Sequence, residues 1–145
     1  MRVEHSIDIE APPEVVWSVT ADVERWPEWT PTVTSVHRVG TEPFGLGSVA
    51  RIKQPAQPEA EWVVTEFEHG RRFAWESRRS GLHFVGTHEI SPNRAGAKNL
   101  LRVEARGILA FLLWPVLKRA TQRALAAENQ GLKKKAEQLA RSHGV

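Results

Sequence analysis

The sequence predicts an α+β domain in which a curved antiparallel sheet of about seven strands wraps on one long C-terminal helix. Three observations carry this. From Pro115 to about Arg141, apolar residues recur at helical spacing. From Val33 to Gly107 the chain breaks into short alternating runs punctuated by Gly and Pro. One further alternating run stands alone at the front, followed by two short helical pieces. The order is β-α-α-β6-α, and residues 1–145 read as a single domain.

Arg2 to Glu10 puts Val3, His5, Ile7 and Ile9 on one side and polar residues on the other, the period of a half-buried strand. Ala11-Pro12-Pro13 stops it. Glu14 to Ala21 forms a short helix, and Asp22 is placed to cap a second one through Trp26. Pro27 and Pro31 bracket Trp29 and keep that stretch irregular. Strands follow at Val33–Val39, Ser48–Gln54, Glu59–Glu68, Arg71–Arg79, Leu82–Ile90 and Lys98–Gly107, with Ser91 to Ala97 expected as a loop. Short links between successive strands predict a meander. Pro115 suits the first turn of a helix, where its missing N–H has no partner to lose. On that helix Leu117, Thr121, Ala124, Leu125, Leu132, Ala136 and Leu139 form one stripe. Arg119, Arg123, Asn129, Gln130, Lys133, Lys134 and Glu137 fall on the other side, and the helix runs roughly 40 Å. Ile108 to Trp114, apolar without clear period, reads as a gate or a dimer patch just before it.

Composition narrows the function classes. The absence of Cys removes disulfide and thiolate chemistry and fits a cytoplasmic setting. The N-terminus lacks the apolar core of a secretory signal. The longest apolar run is far short of the ~20 residues that span a bilayer, so no stable membrane insertion is expected. Net charge is +3 with acids and bases interspersed, which does not suggest a nucleic-acid partner. Six Trp and no Tyr suit a core or an apolar pocket. A long curled sheet against a single stripe of Leu and Ala leaves concave surface unfilled, which predicts a cavity.

Several local stretches resemble the START/Bet v 1-like (SRPBCC) superfamily, and within it the small bacterial polyketide cyclase/dehydrase-like proteins. Ile9-Glu10-Ala11-Pro12-Pro13-Glu14-Val15-Val16-Trp17 resembles the first strand entering the first helix. Asp22-Val23-Glu24-Arg25-Trp26-Pro27-Glu28-Trp29 resembles the second helix, and Glu128-Asn129-Gln130-Gly131-Leu132-Lys133 a piece of the last. Gly47 to Pro55, Trp62-Val63-Val64-Thr65-Glu66, Phe73-Ala74-Trp75 and His88 add to the likeness, which covers nearly the whole chain. It implies a helix-grip fold with a ligand cavity between sheet and helix, its mouth near Trp26 and Trp29. It does not specify a reaction.

Glu128 is the sharpest single residue, a carboxylate at the centre of an apolar stripe. His88 shares a strand face with Phe84 and Ile90 and is its natural partner. Together they form an acid/base couple if the protein is an enzyme. The other reading has Glu128 reaching Lys53, Arg102 or Gln54 at the cavity rim. Trp62, Trp75, Phe84 and Val103 should wall the cavity, with Val64 and Phe73 beside them on the same strand faces. Leu117, Thr121 and Ala124 should line it from the helix. No metal site is expected, since His83 and His88 point to opposite faces of one strand. No cofactor is expected either, because no glycine-rich phosphate loop occurs. The sequence thus predicts binding of a small hydrophobic ligand: a lipid, polyketide or aromatic metabolite. Two further readings stay open, a cofactor-free cyclase, aromatase or dehydratase and a protein-binding adaptor. Either a monomer or a homodimer fits.

Overall fold

The computed structural model describes residues 1–144. Strands β1 (Arg2–Ile9), β2 (Ser35–Val39), β3 (Val49–Lys53), β4 (Ala60–Glu68), β5 (Arg72–Arg79), β6 (Leu82–Asn93) and β7 (Gly96–Arg106) form one sheet, with helices α1 (Pro13–Ala21) and α2 (Ile108–Gly144) and a 3₁₀ helix, Val23–Glu28. The strand order is β1-β7-β6-β5-β4-β3-β2, every pair antiparallel. β2 to β7 is the predicted meander, and β1 adds to its far edge. α1 and the 3₁₀ helix carry the chain from the β1 edge to the β2 edge. They are too short to be stable alone and gain their order from packing. Val16, Trp17, Val23 and Trp26 from these two pieces are buried in the main core.

Register brings the predicted faces together. Phe73 opposes His88, Trp75 opposes Gly86, and Ser77 opposes Phe84. Gly86 in turn opposes Val103, and His88 opposes Leu101. A bulge between Val64 and Glu66 changes the parity of β4. Residues Trp62 and Val64 face inward before it, and Phe67 faces inward after it, where its ring meets Trp17 at 5.7 Å. Two buried clusters result. One gathers Ile9, Trp17, Val36, Phe73 and Ile90 under Leu132 and Ala136 of α2. The other is smaller, with Val3, Leu101 and Leu125.

Four expectations are corrected. α2 begins at Ile108, so Pro115 lies inside it and the apolar run Ile108 to Trp114 is helical. The start is fixed by the β5–β6 turn: the amides of Leu109 and Ala110, which have no intrahelical acceptor, donate to the Gly81 carbonyl at 3.0 and 3.3 Å. Second, Ser91 to Ala97 is no loop; pairing continues to Asn93 and Gly96. Asn93 Oδ1 accepts from the Gly96 amide at 3.0 Å and closes a tight hairpin. Third, Asp22 makes no side-chain cap to the second helix; its carboxylate lies 3.5 Å from Arg25. Fourth, Asn129 is fully buried rather than on a solvated side. Its Oδ1 accepts from Asn99 Nδ2 at 2.7 Å, and its Nδ2 donates to the His5 carbonyl at 3.1 Å, which pins α2 to β7 and β1.

Candidate functional site

Between the two core clusters lies a cavity of about 180 Å³. It is larger than the single-water scale of about 15 Å³ by an order of magnitude, and comparable to a ~150 Å³ cavity that takes up benzene. The residues of α2 explain its position. Leu132 and Ala136 meet the main cluster closely. Further toward the N-terminus the facing side chains are Ala120, Thr121 and Ala124, which are too small to reach the sheet. Leu117, Leu125 and Glu128 complete the helical wall.

The sheet supplies the opposite wall through Trp62 of β4, Trp75 of β5, Phe84 and His88 of β6, and Val103 of β7. Trp26 and Gln54 close one end. Gly86 sets the depth: a Cβ there would lie 3.4 Å from the Trp75 indole and 3.7 Å from Trp62. The two indoles therefore lie against bare backbone, tilted at 45° with centroids 5.9 Å apart. Trp62 Nε1 is buried and has no hydrogen-bond partner.

His88 is enclosed by rings. It stacks on Phe73 at 4.6 Å, with Trp26 at 5.1 Å and Trp75 at 6.3 Å. Burial among them pushes its pKa down to about 3, so the imidazole is neutral at physiological pH. Glu128 is pushed up to about 7, also by loss of water. The side chain is half-buried and lines the cavity. Among the described residues no ion pair joins Glu128 to His88, and both line the same cavity. Two of the three rim alternatives have partners of their own. Arg102 pairs with Glu4 at 2.6 Å, and Lys53 Nζ donates to the Gln54 carbonyl at 2.7 Å. His88 is thus held neutral around physiological pH, while Glu128, pushed up to about 7, is shared there between its protonated and ionised forms.

Of the residues expected to face a ligand, Trp26, Gln54, Trp62, Trp75, Phe84, His88, Val103, Leu117, Thr121, Ala124 and Glu128 border the cavity. Trp29, Val64 and Phe73 do not. Val64 and Phe73 are fully covered by the main cluster, where strand parity is right but the helix above is filled. Trp29 stands behind Trp26, ring centroids 6.0 Å apart, and borders a second, polar hollow with Asp22, Arg25 and Lys135. The lining also takes in Val33, Ile52, Gln57, Gly86, Thr87, Leu101, Ala120 and Leu125, which the sequence reading does not assign to it, and Arg102, which that reading places only at the rim. Leu101 and Leu125 carried a readable signal, since alternation with Val103 and helical spacing from Thr121 place them on the right faces. Val33, Ile52 and Gln57 come from the β2–β3 end and had none.

Comparison with known proteins agrees with this architecture. An uncharacterized protein of Mycobacterium tuberculosis is 36% identical over 82 residues, 57% of this chain. The chain covers 49% of that relative, so it spans about half the length of the curated relatives it matches. The ZhuI aromatase/cyclase of a Streptomyces species superposes with a TM-score of 0.79 at 20% identity, covering 100% of this chain and 99% of that one. A START superfamily protein from Mycobacterium smegmatis gives 0.79 at 15% identity, covering 95% and 98%. At these identities the two structures establish the fold, a START/Bet v 1-like helix grip. The sequence profile described as polyketide cyclase / dehydrase and lipid transport matches residues 1–137, and the chain belongs to that family.

Proposed function

We propose that this protein binds a small, mostly apolar molecule with one or two uncharged polar groups, held between α2 and the concave face of the sheet. The observation that carries the reading is the unfilled 180 Å³ space whose walls present indole, phenyl and aliphatic surface beside Glu128, which has no ion-pair partner among the described residues. A protonated Glu128 both donates and accepts. An aromatic or polyketide-like compound bearing hydroxyl or carbonyl groups matches these walls, whose polar members include Gln54, Thr121 and His88.

A second reading uses the same carboxyl as a general acid in a cofactor-free cyclisation or dehydration. It is favoured by one observation, a Glu held near pKa 7 beside an apolar cavity.

The binding reading is tested by titrating a neutral naphthylamine dye into the protein and into Ala124→Phe. The phenyl ring is expected to fill the space, lower dye affinity by about tenfold or more, and leave the unfolding midpoint unchanged or higher. Equal dye affinity in the folded variant would remove the cavity from the binding site.

A further inference from the structure

The first turns of α2 present a second apolar face that the cavity does not use. Ile108, Phe111, Leu112 and Val116 are 74%, 70%, 66% and 72% exposed. At about 100° per residue they fall on one stripe, opposite the stripe of Leu117, Thr121 and Ala124 that lines the cavity. Six of the ten exposed large apolar side chains among the described residues lie between Ile108 and Val116. That concentration marks an interaction surface rather than scattered surface apolars. The tip is held in place: Ala110 is fully buried, and the Gly81 carbonyl accepts from the amides of Leu109 and Ala110.

Charge selects the occupant. From Ala105 to Ala127 the chain carries Arg106, Lys118, Arg119 and Arg123 and no acidic residue. All four are bases with no ion-pair partner among the described residues. Three of them continue the helix directly beyond the apolar stripe, Arg119 and Arg123 on the same side of it. A second copy docked face to face would set these cations against their own kind. An anionic lipid surface complements both features, apolar side chains entering the acyl boundary and cations meeting the headgroups. No helix is long and apolar enough to cross a membrane, so contact of this kind is peripheral.

We infer that the protein docks on anionic lipid bilayers through Ile108, Phe111, Leu112 and Val116, with Lys118, Arg119 and Arg123 against the headgroups. Docking in this pose lays the helix that walls the cavity along the bilayer surface.

The test is co-sedimentation with phosphatidylcholine vesicles containing about one third phosphatidylglycerol, and with vesicles of phosphatidylcholine alone. Binding to the anionic vesicles is expected, and about tenfold or greater weakening on the neutral ones. Phe111→Ser/Leu112→Ser and Arg119→Glu/Arg123→Glu should each weaken binding to the anionic vesicles by a similar factor or more, with unchanged circular dichroism. Light scattering of the same proteins completes the experiment. Absence of binding to anionic vesicles overturns the inference, as does full binding by folded Phe111→Ser/Leu112→Ser. A dimer that this variant turns into monomer, with vesicle binding unaffected, assigns the stripe to a second copy instead.

Discussion

Glu128→Gln is expected to tilt a pH–stability profile that these two buried groups otherwise keep level. Between pH 4.5 and 6.5 the unfolded chain protonates its His88, whose ordinary pKa is 6.5, while the folded protein holds it neutral down to about 3. Over the same range the folded protein keeps the proton on Glu128 up to about 7, while the unfolded chain has lost it above 4.5. The depressed His88 makes stability fall as pH drops below 6.5. The raised Glu128 makes stability fall as pH climbs above 4.5. One proton against one proton leaves no net slope from this pair. Removing the carboxyl leaves the His88 slope alone, at most about 1.4 kcal/mol per pH unit, so the variant should gain about 2 kcal/mol from pH 4.5 to 6.5. His88→Phe should show the opposite tilt of similar size. Urea unfolding at half-unit pH steps measures both. A Glu128→Gln profile as level as the parent's would mean that the carboxyl reaches water and does not face an apolar cavity. The same variant also separates the two functional readings. A binder keeps its ligand, whereas an acid catalyst still binds and loses turnover.

Gly131→Ala is expected to destabilise strongly at a position where local preference points the other way. Alanine in a helix interior is favoured over glycine by about 1 kcal/mol. Here a Cβ would clash with the Trp29 carbonyl oxygen, which is backbone and has no rotamer to escape into. Relief requires α2 to separate from the segment after the 3₁₀ helix, and Trp29 packs on Trp26, which closes one end of the cavity. A loss of about 3 kcal/mol is expected, the upper end of what overpacking costs. The calorimetric midpoint reports it, and a rise in that midpoint would show that the close approach is absent.

Much of this architecture is legible in the sequence. Period two in β1 and β3 to β7, the Gly and Pro stops, and the stripe on α2 gave the element order and the meander. The out-of-place Glu128 and the shared faces of Trp62, Trp75, Phe84 and Val103 pointed to the cavity walls. What was not legible depends on long-range contacts. Pro115 is as compatible with the first turn of a helix as with the third turn of one already capped by Gly81, and only the fold supplies Gly81. The β4 bulge is invisible in a run that alternates on both sides of it. Strand parity says that Phe73 and Val64 face inward, but not that the helix above them is filled while it is hollow above Trp75. Asn129 reads as a polar-side residue until β1 and β7 are seen to supply its partners.

The central claim is that sheet and helix enclose a space which apolar matter can enter, and crystals held under xenon pressure test it most directly. Xenon density is expected between Trp75 and Ala124, bounded by Trp62, Val103 and Leu117. A xenon-pressurised crystal with no density there, and with the Trp62 and Trp75 indoles in contact with α2, would contradict it.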